Sequence, residues 1–151
     1  MFFPNKLNEK RLAKVLKRAR STLDVAVFAF TNNKLAKAIL HCWNRGVKCR
    51  AITDDECAKF SGADIYLLAA AGIPCTMDNH ARYHMHNKFA LIDSEVLVTG
   101  KLTHIIFNNN KGSFNWTSQA VTGNQENLMV VENRELVRQY QEEFDRILPK
   151  F

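Results

Sequence analysis

No apolar run in the chain approaches the ~20 residues that a bilayer-spanning helix needs, and no signal-peptide pattern opens it. As given, it reads as a soluble protein. There is no C-x-x-C pair: Cys42, Cys49, Cys57 and Cys75 stand apart, so zinc-ribbon and dithiol redox motifs are excluded. A disulfide framework does not suit this size and spacing, and a reducing compartment fits. A zinc set drawn from Cys75, His80, His84 and His86 matches no standard spacing, so no metal and no other cofactor is expected. Low-complexity runs and internal repeats are absent too. Acidic residues are outnumbered, 15 against 21 basic, giving a net charge of +6 and a pI near 9.3. That balance suits a polyanionic partner, either nucleic acid or an anionic lipid surface.

What is present is enough for a core. The 151 residues are 46% hydrophobic and one domain by the usual size range, taken as 1–151. Residues 7–20 place Leu12, Val15, Leu16 and Ala19 at helical spacing, with a basic opposite face. Leu23–Phe30 is an apolar run that predicts a central strand buried on both faces. Asn32 or Asn33 caps a helix through Arg45, and 47–53 is the next strand, which makes a βαβ unit with parallel neighbours. Residues 54–62 read as a polar connection, Ser61 or Asp64 starts a helix through Ala71, and a short strand covers 75–77. Met85–Asp93 and Glu95–Thr99 form a hairpin. Glu126–Glu132 is the last strand, and Asn133 caps a closing helix. The expected fold is α/β: a mixed, largely parallel sheet with helices on both faces.

The chemistry concentrates in His84–Asp93 (H-M-H-N-K-F-A-L-I-D) and in Gly112-Ser113-Phe114-Asn115-Trp116-Thr117. Side chains two apart on a strand share a face, so His86 and Lys88 sit about 7 Å apart and can meet one phosphate. Asp93 has the opposite parity and is expected to tie down a turn or backbone. Ser113 and Asn115 form a second same-face pair that can bind phosphoryl oxygens. Glu126 supplies the carboxylate that fixes an active imidazole's tautomer. His84 is expected to line a groove or be solvated, and Trp116 to pack beneath the site.

These residues resemble the phospholipase D superfamily, whose signature is H-x-K-x4-D, a G-S-x-N-W-T-like segment and a downstream acid. Phe2-Phe3-Pro4, Ala71-Gly72-Ile73, Met85–Ala90, Glu126-Asn127 and Glu143–Ile147 extend the likeness to its Zucchini, or mitochondrial phospholipase D, branch. The resemblance implies a phosphodiester hydrolase with catalytic His86, Lys88 and Glu126 and phosphate-binding Ser113 and Asn115. The implied activity is single-strand-specific cleavage of RNA leaving 5′-phosphate ends, in the piRNA pathway. Single-stranded DNA should be cut too, since no ribose 2′-OH is needed. An imidazole can attack phosphorus while an acid protonates the leaving oxygen from the opposite side. With one H-x-K motif per chain, a second His86 has to come from another copy, so a homodimer is expected. The same residues serve a cardiolipin (anionic phospholipid) hydrolase, the alternative reading. A third is an inactive RNA-binding or scaffold dimer.

Two departures stand out. Deleting residues 101–112 restores the uninterrupted V-L-V-T-G-S-F-N-W-T, so this segment reads as an insertion: a hairpin lip over the groove or, favoured by its exposed Ile105-Ile106-Phe107, a gene-assembly artefact. Family members also carry a membrane anchor, which implies the mitochondrial outer-membrane surface facing the cytosol, and this chain shows no such anchor.

Overall fold

The structure, a computed structural model, describes residues 1–78, 82, 84–100 and 114–148. A short strand β1 (Phe2–Phe3) leads to helix α1 (Lys6–Leu16), capped by Asn5, whose side chain accepts from the Leu7 and Asn8 N–H groups. β2 (Thr22–Val27) and β3 (Phe30–Thr31) flank a bend at residues 28–29. Asn32 caps α2 (Asn33–Asn44), and Gly46 at φ +86° allows the left-handed exit that a side chain would strain. Then come β4 (Lys48–Asp54), α3 (Asp55–Ala58), α4 (Ile65–Ala70), β5 (Cys75–Asp78), β6 (Lys88–Ile92) and β7 (Val96–Thr99). β8 (Trp116–Thr117), α5 (Ser118–Thr122), β9 (Glu126–Asn127), β10 (Met129–Val131) and α6 (Arg134–Ile147) complete the chain.

Six strands form one sheet in the order β10-β7-β6-β2-β4-β5. The βαβ unit is there: β2, β4 and β5 run parallel. The other three joins are antiparallel, so the sheet is mixed and not largely parallel. The β6–β7 hairpin, with its tight turn at Asp93 and Ser94 (φ +54° and +53°), accounts for one of them, and the others come from β6 pairing with β2 and β10 with β7. Alternation along β2 divides the core. Leu23, Val25 and Val27 join Leu12 and Leu16 of α1, Leu35 and Ile39 of α2 and Leu68 of α4. Ala26 faces the other side, with Phe89, Leu91 and Leu97 under Val137, Phe144 and Ile147 of α6. Helices therefore cover both faces. Buried Asp24 on β2 is matched by Arg50, at 2.8 and 2.6 Å, and Arg50 reaches Asp145 of α6 at 3.0 Å, fastening that helix.

Three local expectations change. The run expected as a strand to Phe30 stops at Val27: the Phe28 N–H still reaches Asn87 O, but the Phe28 carbonyl accepts from the Thr53 side chain, Oγ1. The polar connection contains α3, capped by Asp54. The last strand is split at Leu128, with β9 paired to β1 and β10 to β7. Residues 101–112 lie outside the described residues. No described helix is long and apolar enough to cross a membrane.

Candidate active site

The antiparallel join of β2 to β6 puts the start of β6 beside the end of β2, with Val27 opposite Lys88. The site grows from this junction. β6 begins at Lys88, so His86 precedes the strand and does not lie along it as alternation suggested. The two side chains are gathered instead by Phe28, which projects at the bend after β2. The His86 ring lies 4.7 Å from the Phe28 ring centre, tilted by 58°. Lys88 Nζ sits 4.7 Å from the same centre and donates to the His86 carbonyl at 2.8 Å. Lys88 is 3% exposed while His86 is exposed. A buried ammonium is costly unless partnered, and a carbonyl plus an aromatic face are suitable partners.

Asn115 reaches the same end through β8. Trp116 pairs with Phe30 and donates its N–H to Ala29 O at 3.1 Å, which sets Asn115 next to the Phe28 bend. Asn115 Oδ1 is buried with no hydrogen-bond partner among the described residues. Trp116 itself is buried edge-on to Phe30. Gly100 makes this approach possible. A Cβ there would meet Phe114 N at 2.6 Å and Phe114 Cβ at 2.8 Å. The Gly100 N–H also points to Lys88 O at 3.5 Å, so Lys88, Gly100 and Phe114 are successive neighbours.

Glu126 arrives by another route. It pairs with Phe3 on β1, whose ring stacks on Phe114 at 4.2 Å. Its half-buried carboxylate accepts from Asn124 Nδ2 at 3.2 Å. Ser113 lies outside the described residues. Asp93 sits at the far end of β6, where its carboxylate accepts from the N–H groups of Arg20, Ser21 and Thr22 and from Ser21 Oγ. Burial pushes the Asp93 carboxyl up, but those donors outweigh it, and the group ends below the usual carboxylate range.

His84, expected to line a groove or be solvated, is exposed and precedes β6. Its Nδ1 bonds to Asp54 Oδ2 at 2.8 Å, and its ring meets Phe28 edge-on at 5.8 Å. The Asp54 hydrogen bond raises its pKa. Asp54, Asp55 and Asp78 bring carboxylate oxygens within 4.8 Å of one another. Those of Asp54 and Asp78 are already engaged: Asp54 by Glu56 N, Cys57 N and His84, Asp78 by Asp55 N and Met85 N. Of the zinc set, Cys75 lies on β5 and His80 outside the described residues. Burial raises the thiols of Cys49 and Cys57 to about 12 and that of Cys75 to about 11, leaving all three poor metal ligands and nucleophiles. Reading the sequence alone missed Phe28, Asp54 and Gly100. Phe28 is masked by its apolar run, although Phe28-Ala29-Phe30 already breaks the alternation of Leu23, Val25 and Val27.

Known proteins resemble this chain in sequence and in fold. A family model described as cardiolipin synthase, PLD-like domain, matches residues 12–148. The mitochondrial cardiolipin hydrolase of Mus musculus is 40% identical over 141 residues, 93% of this chain and 58% of that protein. The Homo sapiens protein of that name is also 40% identical, over 93% of this chain and 51% of its own length. The chain thus spans a little over half of these relatives. Among solved structures, the phospholipase D family member Nuc from Salmonella typhimurium superposes with a TM-score of 0.79 at 21% identity, covering 94% of this chain and 87% of its own. NucT from Helicobacter pylori gives 0.77 at 22%, covering 99% and 95%; both share the fold. A family match that runs from residue 12 to residue 148 means that the chain belongs to the phospholipase D-like domain family.

Proposed function

We propose that the chain is a metal-independent phosphodiesterase that cuts single-stranded RNA, and single-stranded DNA as well. The observation that carries this reading is the cluster over Phe28: an exposed imidazole, His86, beside the buried ammonium of Lys88. His86 attacks phosphorus, and the bond to the leaving 3′ oxygen breaks as that oxygen takes a proton from the His86 of a second copy. A phosphohistidine remains. The second His86 then takes a proton from water, which attacks phosphorus, frees His86 and leaves a 5′-phosphate. Lys88, Ser113 and Asn115 hold the phosphoryl oxygens as charge builds, which replaces a metal's electrostatic contribution. Glu126 steadies the charged imidazole. With one H-x-K motif per chain, the second His86 in this reading comes from another copy in a homodimer. Kinship suggests the mitochondrial surface and piRNA production as the setting.

The relatives' name, mitochondrial cardiolipin hydrolase, favours a second reading in which the same chemistry acts on cardiolipin. One assay separates them: pure protein with labelled single-stranded RNA or with cardiolipin vesicles, in EDTA, beside His86→Ala. RNA cleavage that the substitution abolishes is expected. Turnover of lipid alone establishes the second reading, and turnover of neither leaves a binding or scaffold dimer. Full activity in a strict monomer would refute the shared site.

A further inference from the structure

We infer that His84 is a second phosphate-binding position, which takes the phosphate flanking the scissile one in a single-stranded polynucleotide. This rests on the nuclease reading above. The side chain is 49% exposed, yet it is held by a carboxylate that is fully buried, Asp54. That carboxylate is itself fixed by the N–H groups of Glu56 and Cys57. Since Asp54 accepts from two amides and from Nδ1, the imidazole proton sits on Nδ1 and the ring is oriented with its Nε2 edge away from the acid. A merely solvated histidine needs no such support.

Placement supplies the second half of the case. His84 and His86 both lean on Phe28, at 5.8 and 4.7 Å from its ring centre. A polyanion whose reacting phosphate sits against His86 and Lys88 therefore runs along the Phe28 ring to a second positive group. A substrate with one isolated phosphodiester cannot use it; a chain of phosphodiesters can. The charged groups that act on His84 are Asp54 from β4, Glu56 from α3 and Asp78 from β5, with Lys88 across Phe28. The nearest, Asp54, favours the protonated ring, so the position is cationic on the acid side of neutrality and fades as pH rises.

The test is made in a His86→Ala background, where binding is read without turnover. Binding of a labelled single-stranded RNA oligonucleotide is measured by anisotropy across a salt series at about pH 6, with melting curves to verify that each variant folds. Adding His84→Gln should weaken binding several-fold and flatten the slope of log K against log salt by about 0.7, the loss of one phosphate contact on a single strand. His84→Lys should restore the slope, which a purely structural role for the histidine would not allow. The difference between parent and His84→Gln should vanish towards about pH 9, where an imidazole is neutral. Equal slopes in parent and His84→Gln overturn the inference and leave the nuclease reading intact. A parent that binds no RNA overturns both. If His84→Gln weakens binding to cardiolipin vesicles and leaves RNA untouched, the polynucleotide assignment is overturned in favour of a lipid.

Discussion

Asp93 belongs to the H-x-K-x4-D signature, and its replacement by asparagine separates a structural from a chemical role. Its carboxylate gathers three backbone N–H groups and one hydroxyl, at 2.8 to 3.1 Å. A hydrogen bond to a charged acceptor contributes roughly 1.5–3 kcal/mol when shielded. Arg20 and Ser21 are exposed, so water replaces most of what they lose, and Thr22 N–H is the half-buried donor that is left wanting. The expected cost of Asp93→Asn is about 1–2 kcal/mol, or a fall in Tm of roughly 3–6 °C for a chain of this size. Asparagine tolerates the left-handed φ of +54° at this turn; Asp93→Ala adds about 1 kcal/mol of backbone strain. The carboxyl titrates lower in the folded state than in the unfolded one, so it stabilises above the unfolded value and that contribution is lost as pH falls through the folded one. Urea unfolding should therefore show the gap between wild type and Asp93→Asn at pH 7 narrowing below about pH 4. Seven residues separate Asp93 from His86, roughly 20 Å of strand, so turnover per folded molecule should be unchanged. An Asp93→Asn protein of wild-type stability that had lost tenfold or more in turnover would refute this and make Asp93 part of the chemistry.

Gly100→Ala should cost about 1–3 kcal/mol by overpacking, because a Cβ meets Phe114 backbone that cannot swing aside. It should also lower turnover by up to about a hundredfold by displacing Asn115, measurable as kcat on RNA in protein verified as folded. Phe28→Leu should leave stability within about 1.5 kcal/mol but reduce kcat/KM at least about tenfold, since His84, His86 and Lys88 lose their common ring. Burial raises Asp64 to about 6, and its Oδ2 has no partner among the described residues. An acid raised on folding stabilises fully below its unfolded value near ~3.9 and loses that contribution as pH climbs through about 6. Asp64→Asn should therefore be the more stable protein at pH 7, by no more than about 1–2 kcal/mol because its amide takes over a site with no partner, and should flatten the pH dependence of urea unfolding between about 4 and 6.

Much of the scaffold was legible in the sequence because one signal ruled each element. Asn32 and Asn133 stand before amphipathic runs and cap α2 and α6, and the βαβ unit follows from two apolar runs around a helix. Sheet direction was less legible: β6 and β7 read as a hairpin, but nothing local says that β6 docks antiparallel on β2. The break at Leu128 was hidden as well, because splitting Glu126–Glu132 between two sheets depends on where β1 lies, more than a hundred residues away. At the site, the motif residues were visible and their supports were not. Lys88 was expected on an open face beside His86; it is buried, and the pair meets through Phe28, which came from a run that reads as core. Asp54 looked like part of a polar connection, although it orients His84.

The contact of Gly100 with Phe114 also bears on how this domain tolerates change. Gly100 and Phe114, apart in sequence, touch and close a neck beside the site. Across such a neck the cost of extra chain grows only as the logarithm of its length, about 0.6 kcal/mol for each doubling. The neck thus sets where the chain re-enters the site, whatever the number of residues between its two ends. That closure depends on residue 100 staying a glycine.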